Sequence, residues 1–344
     1  MIMEIALYRK HRPHDFDDVS GQDHVIKTLK SAIKKKELHH AYIFSGTRGT
    51  GKTSVARIFA RAIGCNEMDI HEIDAASQNS VENIRDLNDS VRTIPLKSVY
   101  KVYILDEAHM LSKSAFNAFL KTLEEPPSHT VFILATTEPS KLPDTVISRC
   151  QNFTFKKPSL ELLEKTVMSV AKKEGYEIDS ESASVIALLS GGAFRDALGI
   201  LQKALIASDG KKVSRDVIEK VLGAPTSDQV NIYLEAFAEC DIKKGVDAIE
   251  KLAEDNIDMR LLVKLALRKL RSIILFRFTD NKSLLDDYNK KDSEFIKKEA
   301  KNDKLNLDVL SLLLRVVSDI PKSYIPHLPL EIALIEHKER QQQK

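Results

Sequence analysis

The segment that most constrains the fold of this chain is "GTRGTGKT", residues 46–53, which matches the pattern G-x-x-x-x-G-K-[ST] completely. A run rich in aromatic and apolar residues, 41–45, precedes it, and an amphipathic helical pattern, 54–63, follows it. A glycine-rich loop between a strand and a helix turns its backbone N–H groups toward phosphates. The sequence therefore predicts a nucleotide site on an α/β sheet, and the alternative is a glycine-rich turn with a solvated lysine.

The residues of this loop have separate predicted tasks. Gly49 and Gly51 let the backbone turn, Lys52 directs its charge toward the β- and γ-phosphates, and the Thr53 hydroxyl binds Mg²⁺. The predicted nucleotide-binding residues are Gly46, Thr47, Arg48, Gly49, Thr50, Gly51, Lys52, Thr53 and Ser54.

A second set of site residues follows two apolar runs. The run "KVYILDEAH" places Asp106 and Glu107 at the carboxyl end of a buried strand, where open α/β sheets bind ligands. Asp106 would hold Mg²⁺ and Glu107 would polarise the attacking water, unless the two carboxylates only cap a helix. Another apolar run, "FILATT", ends in Thr136 and Thr137, and a hydroxyl there could help to place the water.

Composition excludes several classes of protein. A net charge of +2 is too small for a strongly basic nucleic-acid binder, so contact with nucleic acid would need a local patch. The three cysteines are far apart in the sequence, which argues against a disulfide framework. There is neither a secretory signal pattern nor an apolar run long enough to span a membrane. We therefore expect a cytoplasmic protein.

The order of the periodic segments predicts three domains. Strand-like runs at 41–46, 70–74, 101–107 and 130–137 alternate with helical patterns, which indicates a parallel sheet with helices on both faces. The strand pattern ends before residue 160, and the rest of the chain is predicted to be helical, with a boundary at "GAPTSD", 223–228. A charged stretch, 279–304, is expected to be exposed. The predicted domains are an α/β core at 1–157, a helical domain at 158–222 and a second helical domain at 223–344.

Several motifs in order make a family resemblance specific. They are "YRKHRPHDFDDVSGQ", "GTRGTGKTSVAR", "EIDAAS", "ILDEAHMLSKSAFNAFLKTLEEPP", "LATTEPSKLPDTVISRC" and "GGAFRDAL". Together they resemble the gamma/tau family of bacterial DNA polymerase III subunits, the AAA+ motors of sliding-clamp loaders. The resemblance is dense from Tyr8 to about Leu201. It implies that 1–157 is an AAA+ P-loop ATPase core, 158–222 a helical lid and 223–344 a helical collar, with ATP and Mg²⁺ as cofactors. Such a motor would work in a five-subunit ring with other clamp-loader subunits and load the sliding clamp onto primer–template DNA, without making phosphodiester bonds itself.

The resemblance also implies roles for single residues. Thr137, rather than Thr136, corresponds to the family's first sensor, and Arg195 to the second sensor. The segment 8–13 would surround the adenine. Arg149, in "SRC", corresponds to the arginine finger, which reaches the γ-phosphate bound by a neighbouring subunit. Without the family context, Arg149 and Arg195 would each be taken for ordinary surface arginines.

One segment is expected to meet DNA. "ASQNSVENIRDL", 76–87, resembles the segment that faces the central channel of the ring, and Arg85 is its candidate phosphate contact. The alternative is a solvated helix face.

The chain departs from the family pattern in two places. Cys65 stands where the family's four-cysteine zinc module would begin, but only residues 66–69 separate it from the next strand. A tetrahedral site needs four ligands, so no zinc is expected. The chain also ends just after the predicted collar, as a gamma-like product or a shortened tau-like chain would.

Two other functions are consistent with parts of this sequence. A different AAA+ DNA-processing ATPase, such as an archaeal-type clamp-loader small subunit or a branch-migration motor, shares the finger motif. A ring scaffold that does not hydrolyse ATP is the second alternative. The complete set of Lys52, Thr53, Asp106 and Glu107 argues against the scaffold.

Overall fold

The computed structural model describes residues 5–285 and 288–342, which divide between two compact units. The first unit takes its residues from Met1–Thr166 and Ser190–Gly199, and the second from Val167–Leu189 and Ile200–Lys344. This division tests neither predicted boundary, at 157/158 or at 222/223, so the three domains stay a prediction.

The first unit alternates helices and strands, as the sequence predicts. Its elements are α1 (Leu7–Lys10), α2 (Asp23–Lys35), β1 (Ala41–Ser45), α3 (Lys52–Ala62), β2 (Ile70–Asp74), α4 (Val81–Val91), β3 (Lys101–Asp106), α5 (Lys113–Glu124), β4 (Thr130–Thr136), α6 (Asp144–Ile147) and β5 (Gln151–Thr154). Short 3₁₀ turns lie at Phe16–Asp18, Glu67–Asp69, Ala108–Met110 and Pro139–Lys141.

The five strands form one parallel sheet in the order β2-β3-β4-β1-β5. This order confirms the predicted α/β class. Because all pairs are parallel, the carboxyl ends of β3, β4 and β1 lie side by side at one edge. The residues that follow these three strands are therefore neighbours, although the sequence separates them widely.

Both faces of the sheet are covered by helices. Tyr42 and Phe44 of β1 pack into a core with apolar residues of α2 and α3. Ile43, between them, packs into a second core with residues of α4 and α5. Successive residues of a strand point to opposite faces, so a strand buried on both sides is a continuous apolar run. This explains why β1, β3 and β4 lack the polar alternation of a surface strand.

The second unit is mainly helical. Its elements are the C-terminal part of α7 (Leu160–Lys173), β6 (Glu177–Ile178), α8 (Ser180–Leu189), the C-terminal part of α9 (Phe194–Ala207), β7 (Lys212–Val213), α10 (Arg215–Leu222), α11 (Ser227–Glu239), α12 (Ile242–Glu254), α13 (Met259–Thr279), α14 (Lys290–Glu299), α15 (Leu307–Asp319) and α16 (Leu328–Gln342), with 3₁₀ turns at Lys282–Leu285 and Ile320–Lys322. No helix within the described ranges is both long enough and apolar enough to cross a membrane.

Two expectations for this part of the chain are wrong. A short parallel pair, β6 with β7, forms in segments that the sequence marks only as turns. Each of these strands has two residues, too few to produce a periodic pattern. The stretch 279–304 is not exposed throughout, because α14 buries Phe295, Ile296 and the charged Asp292. The charge of Asp292 is compensated inside the unit by Lys269, whose Nζ lies 2.9 Å from Oδ1.

Candidate nucleotide site

The phosphate loop joins the carboxyl end of β1 to the first residue of α3. Gly51 precedes the helix with φ of 100°, a conformation that side chains other than glycine rarely adopt. Helix α3 consequently begins at Lys52, two residues earlier than the sequence pattern indicates. The N–H groups of the first turn of a helix have no acceptor within the helix, and they carry a partial positive charge. This end of α3 is therefore suited to bind phosphate.

Lys52 lies over the loop, with little of its side chain exposed. Its Nζ donates hydrogen bonds to the carbonyl oxygens of Gly46, at 2.7 Å, and Thr47, at 3.1 Å. Burial lowers the pKa of Lys52, while the carboxylates of Glu107 and Asp106 act in the opposite direction. These two carboxylates therefore favour the charged form of the ammonium group at the loop.

The Thr53 hydroxyl and the Asp106 carboxylate meet beside the loop. Thr53 Oγ1 donates a hydrogen bond of 3.0 Å to Asp106 Oδ2, and the other carboxylate oxygen accepts from the backbone N–H of Glu107 at 3.0 Å. Asp106 is the last residue of β3, so the sheet order brings it to the start of α3. Hydroxyl and carboxylate oxygens are ligands that Mg²⁺ takes, so this pair fits the expected ion.

Glu107 occupies a left-handed backbone conformation, with φ of 47° and ψ of 44°. Its Oε2 accepts a hydrogen bond of 3.2 Å from Thr137 Oγ1. Thr137 directly follows β4, the neighbour of β3 in the sheet. The structure thus brings together the predicted catalytic carboxylate and the predicted sensor threonine.

His109 contacts the same carboxylate, and sequence reasoning missed it. Its Nδ1 lies 3.6 Å from Glu107 Oε2 and 3.1 Å from Thr136 Oγ1, and its Nε2 lies 3.5 Å from Glu138 Oε1. The 3₁₀ turn after Glu107 directs this side chain back toward the ends of β3 and β4. Because Thr136 is fully buried and contacts His109, Thr137 is the threonine placed to hold Glu107. The sequence signal for His109 was its place in "DEAH", two residues after Glu107.

Arg195 lies in the first turn of α9, beside the phosphate loop. The backbone N–H of Phe194 donates to the carbonyl oxygen of Gly49 at 3.0 Å. A side chain at Gly49 would approach Ala193 Cβ to 2.7 Å, so this contact requires glycine. The Arg195 guanidinium stands 5.7 Å from the centre of the Tyr8 ring. The segment "SGGAF" therefore contacts the loop, and the segment "YRKHRP" contacts Arg195 beside it.

Two further side chains support the loop, and sequence reasoning did not single them out. Arg12 Nε donates to Ser54 Oγ at 2.9 Å, and burial, followed by the nearby Arg57, lowers the pKa of Arg12. Gln22 is fully buried, and its amide exchanges hydrogen bonds with the backbone of Lys156, at 2.8 and 3.0 Å. Its Nε2 also lies 3.5 Å from the carbonyl oxygen of Thr50 in the loop. A buried glutamine with both amide atoms paired holds its neighbours in register. Neither residue stands out by pattern, because each acts through a partner distant in the sequence.

Arg149 and Arg85 are not part of this constellation. Arg149 precedes β5, whose Thr154 pairs with Ser45 at the carboxyl end of β1. Arg149 therefore lies at the opposite edge of the sheet, about 10 Å or more along the strand from the phosphate loop. Arg85 is exposed on α4, and its contact with DNA stays a prediction.

Cys65 is a buried thiol between α3 and β2. Its Sγ lies 3.2 Å from the carbonyl oxygen of Tyr100, and burial raises its pKa to about 11. Across residues 5–285 and 288–342, no three His, Cys, Asp or Glu side chains are grouped to hold a metal ion. That the chain binds no zinc remains a prediction.

Sequence comparison places the chain among DNA polymerase III subunits. The family model "DNA polymerase III, delta subunit" matches residues 21–80 and 66–159. The tau subunit of Bacillus subtilis (strain 168) is 40% identical over 294 residues, which are 79% of this chain and 52% of that protein. The gamma subunit of Buchnera aphidicola subsp. Baizongia pistaciae is 32% identical over 316 residues, 86% of this chain and 85% of that protein. The chain spans about half the length of the tau subunits it matches.

Structural comparison gives a neighbour with a similar fold. The Thermotoga maritima RuvB Holliday junction branch migration motor matches with a TM-score of 0.53 at 22% identity, over 66% of this chain and 79% of that one. At this identity the similarity establishes a common fold, and function has to be argued from the site.

Proposed function

Because the chain belongs to the gamma/tau family of DNA polymerase III subunits, we propose that it is the ATP-hydrolysing motor of a clamp loader. In this proposal it acts in the cytoplasm within a ring of clamp-loader subunits, and it loads the sliding clamp onto primed DNA during replication. Arg85 would contact the DNA.

The observation that carries the proposal is the set of side chains at one edge of the sheet. Thr53 with Asp106, and Glu107 with Thr137, form two hydrogen-bonded pairs beside Lys52. This arrangement supports ATP hydrolysis, because phosphoryl transfer is catalysed mainly by positioning and by charge. Mg²⁺, held by Thr53 and Asp106, would neutralise phosphate charge when bound.

The chain's own residues have distinct tasks in this proposal. The start of α3 and Lys52 bind the β- and γ-phosphates. Glu107 polarises the attacking water, and the hydrogen bond from Thr137 holds its carboxylate in place. Arg195 adds positive charge from α9.

Arg149 would complete the site of a neighbouring subunit. Its place at the opposite edge of the sheet separates it from its own phosphate loop, which supports a role in trans. An arginine supplied in this way accelerates phosphoryl transfer by about 10³–10⁵-fold in other enzymes.

Rings that contain one Arg149→Ala subunit test the proposal. We expect the isolated variant to bind ATP with unchanged affinity, because its own loop is intact. In the ring, hydrolysis stimulated by clamp and primed DNA should be lost at the adjacent site and retained at the variant's own site. Loss at the variant's own site would mean that Arg149 acts in cis, and unchanged hydrolysis at both sites would mean that it is not a finger.

The two alternatives have less support. The likeness to a branch-migration motor extends only to the fold. A scaffold that does not hydrolyse ATP would have no use for Thr137 held against Glu107, 3.2 Å between their oxygens. A steady-state ATPase assay with partner subunits, clamp and primed DNA separates the motor from the scaffold.

A further inference from the structure

The guanidinium of Arg149 is held by two groups of its own unit. Its Nη2 lies 2.6 Å from Glu124 Oε1, and its Nη1 donates to the carbonyl oxygen of Thr145 at 2.7 Å. A weaker contact joins Nη1 to Ser148 Oγ at 3.4 Å. Charge-assisted hydrogen bonds of this length define the direction of a side chain as well as its position.

The backbones at both ends of this ion pair are well anchored. Glu124 ends α5, directly after the buried Leu123, and the buried Phe119 lies just over one turn earlier. The backbone N–H of Arg149 bonds to the carbonyl oxygen of Val146, itself fully buried. Conformational freedom at this site is therefore confined to the side chains of Glu124 and Arg149, and the ion pair restricts the rotamers of both.

The contacts leave part of the guanidinium available. An arginine carries N–H donors on three nitrogens, and the bonds to Glu124 and Thr145 use one donor on each of two. The side chain of Arg149 is 35% exposed, so the carboxylate does not enclose it. Part of the guanidinium is therefore accessible to a ligand outside its own unit.

We propose that Glu124 is a positioning residue for Arg149 and sets the direction in which the finger enters the neighbouring nucleotide site. The inference rests on the proposed role of Arg149 in trans. A long arginine side chain loses substantial rotamer entropy when it is held in one geometry, and Glu124 makes that selection before the subunits meet. A displacement of about 1 Å in a catalytic group can cost on the order of 10²-fold in rate.

The test uses assembled rings with Glu124→Gln, which removes the charge and keeps the shape. Glu125→Gln is the matched control, because Glu125 is the next residue, exposed, and carries the same charge. We expect kcat for hydrolysis stimulated by clamp and DNA to fall by roughly 10–100-fold with Glu124→Gln, at unchanged KM. Glu125→Gln should match the parent.

Three further measurements separate positioning from a structural role. Glu124→Asp retains a carboxylate and should recover part of the rate. In a ring with one Glu124→Gln subunit, the adjacent site should slow and the variant's own site should not. Combining Glu124→Gln with Arg149→Ala should slow hydrolysis no further than Arg149→Ala alone, because the two residues act as one unit.

Each outcome supports or overturns the inference. If rings with Glu124→Gln hydrolyse ATP at the parental rate or faster, while rings with Arg149→Ala are slow, the positioning role of Glu124 is overturned. The role of Arg149 as a finger is then unaffected. Parental hydrolysis by Arg149→Ala overturns the finger, and the inference with it. A rate loss at the variant's own site, or a lowered melting temperature of the isolated Glu124→Gln chain, assigns Glu124 a structural role instead.

Discussion

Glu107 combines the predicted catalytic carboxylate with a backbone conformation that is unfavourable for glutamate. Its φ of 47° lies in the left-handed region, which costs an L-residue roughly 1–2 kcal/mol and costs glycine almost nothing. Replacing Glu107 by glycine or by alanine removes the same carboxylate and the same hydrogen bond from Thr137. The difference in stability between these two variants therefore measures the free-energy cost of the backbone conformation at residue 107.

We expect Glu107→Gly to be more stable than Glu107→Ala. Glycine avoids the left-handed cost but loses about 0.5–1 kcal/mol in chain entropy, which leaves a difference of about 1 kcal/mol in its favour. For a domain of this size, that difference corresponds to roughly 2–4 °C in Tm. In an ordinary helix the order of the two variants would be reversed.

The chemistry is tested with Glu107→Gln, which keeps an oxygen to accept from Thr137. Its ATP affinity should equal that of the parent, and clamp-bound rings should accumulate. Hydrolysis should fall by about 10²–10⁴-fold, the usual contribution of a general base.

Calorimetry on the glycine and alanine variants and single-turnover hydrolysis on the glutamine variant complete the test. Glu107→Ala melting at or above Glu107→Gly would contradict the left-handed conformation. Hydrolysis at the parental rate by Glu107→Gln would show that another group activates the water.

Three other predictions concern the loop, zinc and the second unit. Lys52→Ala should weaken ATP binding by roughly 10–100-fold in a titration, because a charge-assisted contact worth about 1.5–3 kcal/mol is lost; unchanged affinity would exclude Lys52 from phosphate binding. Elemental analysis should find no stoichiometric zinc, and chelation should leave Tm unchanged; about one zinc per chain would contradict our interpretation of Cys65. Lys269→Met leaves the buried carboxylate of Asp292 without its ammonium partner, which should destabilise the second unit by about 3–5 kcal/mol in denaturant unfolding. Lys269→Met with Asp292→Leu should recover most of that loss, and a double variant as unstable as the single one would refute the charge argument.

The sequence was sufficient for features encoded by neighbouring residues. The strand, glycine-rich loop and helix around Lys52 are contiguous in the sequence. A strand that is buried on both faces is visible in the sequence as an apolar run. The α/β class and the family could be predicted for that reason. The roles of the site residues stay predictions, although Asp106 does end β3, which lies beside β4, and Glu107 directly follows it.

Interactions between distant segments were decided by the tertiary structure. Strand order placed Thr137 against Glu107, and a 3₁₀ turn directed His109 to the same carboxylate. Glu124 became the partner of Arg149 only because α5 packs beside α6, and Arg149 lies two residues after the end of α6.

Burial of charge was also a tertiary outcome. The stretch 279–304 is too polar to predict as core, yet α14 buries Asp292 against Lys269, Ser227 and Asn231. The physical reason is common to all these cases. Periodicity and backbone conformation are local properties that a sequence displays directly. The partner of a polar side chain depends instead on which segments pack together. A polar side chain is buried only where that packing supplies a matching charge or hydrogen bond.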